Sequence, residues 1–252
     1  MGENNSGDRM EITDREVEEL RNRIVLLEGE LAIRDGLEVL AGGIAHDFNN
    51  LLTVILNNIS LMKLEAPEGS GTMIGLEEME KATLKARDLA WKLLNIAGNG
   101  SSSPGEEAAF GVGELDLNHL KGSGRILLVD DEEDVRTSTG AALSRLGYTV
   151  VLAESGSKAI EIFCQSADEG RPFDVVILDL TVHGGKGAKE TVSSLKRTEP
   201  GVKAVVSSGY ANDAVITKFA EFGFSGRLAK PYTMEDLGRV VKAVLDESPG
   251  NS

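Results

Sequence analysis

Apolar residues recur at steps of three and four through the first third of the chain. Val17, Leu20, Ile24, Leu27 and Leu31 form the seam of a coiled coil. A second run, Leu37, Leu40, Ile44, Phe48, Leu51, Ile55, Ile59 and Met62, follows in a shifted phase, which predicts a stutter or local kink near Arg34 to Gly36. Glu65 to Gly75, with Pro67, Gly69 and Gly71, breaks the helix and predicts a turn. Beyond it Leu76, Met79, Thr83, Ala86, Ala90, Leu93 and Ala97 repeat the spacing, so a second helix is expected to pack antiparallel on the first. A lone helical hairpin leaves a wide apolar face uncovered. Pairing two hairpins into a four-helix bundle covers it, which predicts a homodimer.

From Gly98 to Gly124 the composition turns to Gly, Ser and Glu, a linker with room for a short turn of helix around Leu115 to Leu120. From Arg125 apolar runs alternate with amphipathic stretches. The runs are Ile126 to Val129, Thr149 to Ala153, Val175 to Leu178, Val202 to Val206 and Leu228 to Ala229. The helical stretches are Val135 to Leu146, Lys158 to Cys164, Lys189 to Lys196, Ala214 to Phe222 and Met234 to Leu245. Five strands alternating with five helices predict a five-stranded parallel sheet covered on both faces. The fold class is thus α plus α/β. Its divisions are an N-terminal helix (1–36), a helical hairpin (37–97), a linker (98–124), an α/β domain (125–247) and a tail (248–252).

The 252 residues carry 26 basic against 41 acidic side chains, a net charge of −15. Of these, 11 basic and 22 acidic residues precede Gly122, so the excess sits on the helical half and linker. Phosphate binding by the whole chain would need clustered Lys and Arg, so nucleic acid is not an expected partner. The single cysteine, Cys164, excludes an internal disulfide and a multi-cysteine metal site. No apolar run approaches the ~18 residues that cross a bilayer. A cytoplasmic protein with no membrane partner is the expectation.

The ends of the strands carry the chemistry. Asp130 and Asp131 follow the first, Asp179 ends the third, Ser208 follows the fourth and Lys230 the fifth, and in a parallel sheet these positions converge on one edge. Three clustered carboxylates call for a hard divalent cation, and Mg2+ takes carboxylates, waters and phosphate oxygens. Lys230 and the Ser208 hydroxyl suit phosphoryl oxygens, and Pro231 admits a cis bond after Lys230. Asp134 reads as the cap of the helix at Val135, and Thr233 with Asp236 as the cap of the last helix.

Asp130-Asp131, Asp179, Ser208-Gly209 and Lys230-Pro231, in that order across Gly124 to Glu247, resemble the receiver domain of two-component response regulators. The resemblance implies a flavodoxin-like (βα)5 fold and a phosphoryl group accepted by Asp179. It further implies Mg2+ on Asp130, Asp131 and Asp179 with the Thr181 carbonyl, a hydroxyl switch at Ser208, and Lys230 on the phosphate. The chain departs from that pattern where an aromatic switch residue would stand, at Arg227, and in the glycine-rich loop Leu180 to Gly187, where His183 reads as an exposed loop residue.

His46 lies in the helical run, with Asp47 beside it and Asn50 four residues on, one turn along the same face. Asp47 is able to take one imidazole proton and leave the other nitrogen nucleophilic, and Asn50 to orient a water or phosphate. The stretch His46-Asp47-Phe48-Asn49-Asn50 resembles the H-box of the dimerisation and histidine phosphotransfer domain of sensor histidine kinases, and Arg87 to Leu94 resembles its second helix. That implies His46 as phosphoacceptor, Asp47 as its acid-base partner and Asn50 in dephosphorylation, with the preceding coiled coil as a signal helix.

Such a kinase carries an ATP-binding domain after the second helix, and here only the linker follows, so no autonomous kinase activity is expected. A kinase ATP-binding domain acting in trans, or an upstream kinase, would charge His46. A downstream response regulator or phosphotransfer protein would be a further partner. The leading expectation is a hybrid-kinase-type phosphorelay in which His46 passes its group to Asp179. The alternatives are a non-enzymatic dimeric scaffold with an inert His46, and a phosphatase of a partner's phosphoaspartate working through Asn50.

Overall fold

The computed structural model describes residues 14–97, 117–181, 187–209 and 214–246. The Gly- and Ser-rich part of the linker, the loop holding His183, and the tail lie outside the described residues.

Helix α1 (Asp14–Lys63) is 50 residues long and passes through Arg34–Gly36 without a break, so the predicted stutter does not interrupt it. Helix α2 (Gly71–Ala97) returns along it. The turn between them uses Gly69 at φ +67°, a left-handed position that suits glycine, and Ser70 caps α2 by accepting the Met73 N–H. Leu52, Leu56 and Ile59 of α1 and Leu76, Thr83 and Ala90 of α2 are buried, and Lys63 pairs with Glu80 at 2.9 Å beside the turn.

The expected seam of α1 divides between two faces. Ile44, Phe48, Leu51, Ile55 and Met62 stay exposed, with Ile74, Met79 and Leu89 of α2. Ile24, Leu27 and Leu31 are exposed as well. The face of α1 that is buried carries Asn49, Asn50, Thr53, Asn57 and Ser60 beside its smaller share of apolar residues.

A 3-10 turn (Leu117–Leu120) leads into the second domain, as the linker reading anticipated, and Leu120 joins its core. The strands are β1 (Arg125–Val129), β2 (Thr149–Ala153), β3 (Val175–Asp179), β4 (Lys203–Ser208) and β5 (Gly226–Ala229), all parallel in the order β2-β1-β3-β4-β5. Alternate side chains of each strand enter two separate cores. One holds Ile126, Leu128, Val175 and Ile177 under α3 (Glu133–Arg145) and α7 (Met234–Asp246). The other holds Leu127, Val129, Val176 and Leu178 under α4 (Gly156–Asp168) and α5 (Ala188–Thr198).

The stretch read as one helix from Ala214 to Phe222 is instead a single turn, α6 (Ala214–Thr217), and a 3-10 turn (Phe219–Phe222) ending at Gly223, φ +88°. Asp134 is not the cap of α3. It lies inside the first turn, Glu132 holds the cap position without a side-chain bond, and Asp130 Oδ1 takes the Glu132 N–H at 3.0 Å. Thr233 and Asp236 do form a reciprocal capping box on α7. The helical hairpin sits on the α3 and α7 side, where Leu61 and Leu64 pack on that core.

Candidate functional site

The sheet order reverses at β1, whose neighbours are β2 and β3, so a crevice opens beyond the carboxyl ends of β1 and β3. Asp130 and Asp131 stand just past β1 and Asp179 closes β3, where the register pairs it with Ser207. One carboxylate oxygen from each of the three acids lies within 4.8 Å of the others. Asp130 and Asp179 are 3% and 1% exposed, so their charges have little water to screen them.

Lys230 meets them from beyond β5. Its Nζ lies 2.8 Å from Asp130 Oδ2 and 3.2 Å from Asp179 Oδ1, and its peptide bond to Pro231 is cis. Burial alone would lower the Lys230 pKa, but Asp179 and Asp130 outweigh it and hold the ammonium charged. Burial likewise pushes Asp130 up to about 6, against the pull of Lys230 and with the help of Asp179's charge. Two carboxylate charges therefore remain beyond what one lysine neutralises. Asp179 Oδ1 makes no hydrogen bond beyond its ion pair with Lys230. An all-oxygen set of ligand atoms whose three carboxylates face one lysine fits a small hard divalent cation.

Arg136, unremarked in the sequence, anchors this corner by donating to the carbonyls of Asp130 (2.7 Å) and Asp131 (3.3 Å). Ser208 is fully buried at the end of β4, and its carbonyl accepts the Lys230 N–H at 2.7 Å. Arg227 is exposed on β5, its guanidinium 5.9 Å from the Phe219 ring. Tyr232 is the buried aromatic of this region. It shares a hydrogen bond with Thr139 at 3.0 Å, and burial pushes its phenol up to about 12.

The helical hairpin reaches the pocket through α1. His46, 9% exposed, places Nε2 at 2.7 Å from Thr181 Oγ1, and Thr181 donates to Asp179 Oδ2 at 2.9 Å. The other ring nitrogen, Nδ1, faces Asp47 Oδ1 at 3.3 Å and Asn50 Nδ2 at 3.5 Å. Asp47 is mostly exposed, whereas Asn50 is buried and its Oδ1 accepts from Lys230 Nζ at 3.1 Å. Asn49 donates to the Gly209 carbonyl at 2.8 Å, and any side chain at 209 would meet the Asn49 amide 3.2 Å away. Further along, Asn57 donates to Thr139 Oγ1 at 3.3 Å.

His46, Asn50, Thr181, Asp179, Asp130 and Lys230 thus join one hydrogen-bonded or ionic path, with Asp47 at its His46 end and the Ser208 carbonyl on the Lys230 backbone. The Thr181 hydroxyl, Asn49 and Asn57 were not legible as site residues. Each is a polar side chain whose partner lies far away in the chain.

Residues 126–242 match the response regulator receiver domain family, so a receiver domain is present there. The sensor kinase CckA of Brucella abortus (strain 2308) is 37% identical over 131 residues, 51% of this chain and 13% of that protein. Sporulation initiation phosphotransferase F of Bacillus subtilis (strain 168) is 26% identical over 121 residues, 48% of this chain and 93% of that one. Among solved structures, response regulator TrrA of Thermotoga maritima in complex with Mg(2+)-BeF aligns with a TM-score of 0.42 at 25% identity, covering 48% of this chain and 98% of that one. The chain spans well under two thirds of the kinase relative's length. A receiver domain indicates two-component phosphorelay signalling. Among the described residues no helix is long and apolar enough to cross a membrane.

Proposed function

We propose that this chain is a phosphorelay module in which a phosphoryl group passes between His46 and Asp179 of the same chain. The observation that carries the reading is the Thr181 hydroxyl set between His46 Nε2 and Asp179 Oδ2. A scaffold has no need to bury a histidine against an acceptor carboxylate. Asp130, Asp131 and Asp179 would hold Mg2+, with Thr181 contributing its carbonyl as the resemblance implies. The bound cation would neutralise charge on the phosphoryl oxygens. Lys230 supplies a fixed positive charge at the acceptor, and Ser208 a hydroxyl at the end of β4. In the phosphorylated ring Asp47 would face the proton on Nδ1, so that Nε2 can leave as a nitrogen of neutral imidazole. Catalysis of this kind is mostly positioning and electrostatics.

His46 would be charged by a kinase ATP-binding domain acting in trans or by an upstream kinase, and a response regulator or phosphotransfer protein would pass the group on. The exposed stripe Ile44, Phe48, Leu51 and Ile55 supports a homodimer through the hairpin. The cytoplasm suits such a protein.

The test is labelling. An acyl phosphate with Mg2+ should put a base-labile phosphoryl group on Asp179, absent in Asp179→Ala. A histidine kinase ATP-binding domain should put an acid-labile one on His46, absent in His46→Ala. No label at Asp179 would overturn the acceptor role, and none at His46 would favour the scaffold. Decay of a partner's phosphoaspartate that Asn50→Ala abolishes would favour the phosphatase.

A further inference from the structure

We infer that Thr181 is a positioning residue for this transfer, its hydroxyl aligning His46 with Asp179 and yielding its place to the phosphoryl group. The inference rests on the reading above and adds a role for the Thr181 side chain, distinct from any use of its carbonyl.

A hydroxyl has one proton and two lone pairs. Thr181 spends its proton on Asp179 Oδ2 at 2.9 Å, so at 2.7 Å from Nε2 it accepts from the ring. The imidazole is then held at both nitrogens: by Thr181 at Nε2, and at Nδ1 by Asp47 when that nitrogen carries a proton or by the Asn50 amide when it does not. A contact at each nitrogen restrains the ring's orientation. Nε2 thereby faces Asp179 Oδ2 across one intervening hydroxyl oxygen.

A phosphoryl group on Nε2 removes the ring's N–H and crowds the Thr181 hydroxyl, so Thr181 has to turn to another χ1 well. A β-branched side chain has few such wells and leaves one for another discretely. Once turned, the hydroxyl is free to donate to a phosphoryl oxygen. In the transfer the N–P bond at Nε2 breaks with its electron pair returning to nitrogen. A P–O bond forms at Asp179 Oδ2. The ring leaves as neutral imidazole, keeping its proton on Nδ1 opposite Asp47, with a lone pair on Nε2 to which the Thr181 hydroxyl can donate.

The test compares two donors in the full chain. With His46 charged by a kinase ATP-binding domain, Thr181→Val should slow arrival of label at Asp179 by tenfold or more, and Thr181→Ser should restore it to within about threefold. In each variant this rate is divided by that of labelling from an acyl phosphate, which bypasses His46. The ratio should fall about tenfold in Thr181→Val and recover in Thr181→Ser. The His46 ring 15N signals of the unphosphorylated chain should shift in Thr181→Val and return in Thr181→Ser. Equal losses from both donors, or transfer from His46 at the parent rate in Thr181→Val, would overturn the role. Failure of transfer in the parent chain, with acyl-phosphate labelling intact, would overturn the underlying reading instead.

Discussion

Lys230 Nζ, 3.2 Å from Asp179 Oδ1, is also 3.1 Å from Asn50 Oδ1, so one ammonium joins the acceptor pocket of the α/β domain to the helix that bears His46. The pocket and the hairpin are therefore electrostatically one site. Removing this charge leaves Asp130 and Asp179 buried together without compensation. Lys230→Met should destabilise the metal-free α/β domain by about 3–5 kcal/mol. Hydrogen exchange of β1 and β3 amides reads this locally, and added Mg2+ should restore part of the loss. Lys230→Met with Asp179→Asn should be milder than the single change.

Asp130 gives the metal-free domain a pH dependence of known sign. Its carboxyl titrates at about 6, raised by burial from 3.8, so the folded state binds the proton more tightly than the unfolded one. The contribution is full below about pH 4 and falls as pH rises to about 6, then levels off. In chelator, Asp130→Asn should remove that slope. Equal slopes in the two proteins would show that the carboxyl titrates normally.

The exposed stripe predicts a dimer that breaks at one face. Leu51, 60% exposed, and Ile55, 42% exposed, lie a helical turn apart on the side of α1 away from the pocket. Light scattering should give twice the chain mass for the parent protein. Leu51→Glu with Ile55→Glu should give the chain mass, with circular dichroism of the α/β domain unchanged.

Gly209 marks how closely α1 approaches β4. A valine there would put its Cβ about where it meets the Asn49 amide, 3.2 Å away, with two further methyls to place. Gly209→Val should leave acyl-phosphate labelling of Asp179 within a few-fold of the parent while transfer from His46 falls more than tenfold. Similar losses from both donors would mean that the contact does not matter to docking.

The acidic pocket was legible because chemistry interrupts an apolar pattern. Val175-Val176-Ile177-Leu178 can only be a buried strand, and a carboxylate at its end demands a reason. His46 stood out by its neighbours Asp47 and Asn50. The docking of the hairpin was not legible, since periodicity registers apolar stripes alone. It marked Ile44, Phe48 and Leu51 as a seam, and these face away from the α/β domain. Asn49 and Asn57 make the contact instead, and their burial is tolerable only because Gly209 and Thr139, 160 and 82 residues away, supply partners. Asp134 misled for a related reason. Its spacing suited a cap, but Asp130 had already satisfied the Glu132 N–H.

The most direct test of the account is a single-turnover chase. The parent chain is charged on His46, freed of kinase and nucleotide, and given Mg2+ across a range of protein concentrations. Label should move from the acid-labile to the base-labile pool in one exponential phase whose rate does not depend on concentration, and should stay on His46 in Asp179→Ala. Label that remains on His46 in the parent chain, or a rate that rises in proportion to concentration, would contradict transfer between His46 and Asp179 of one chain.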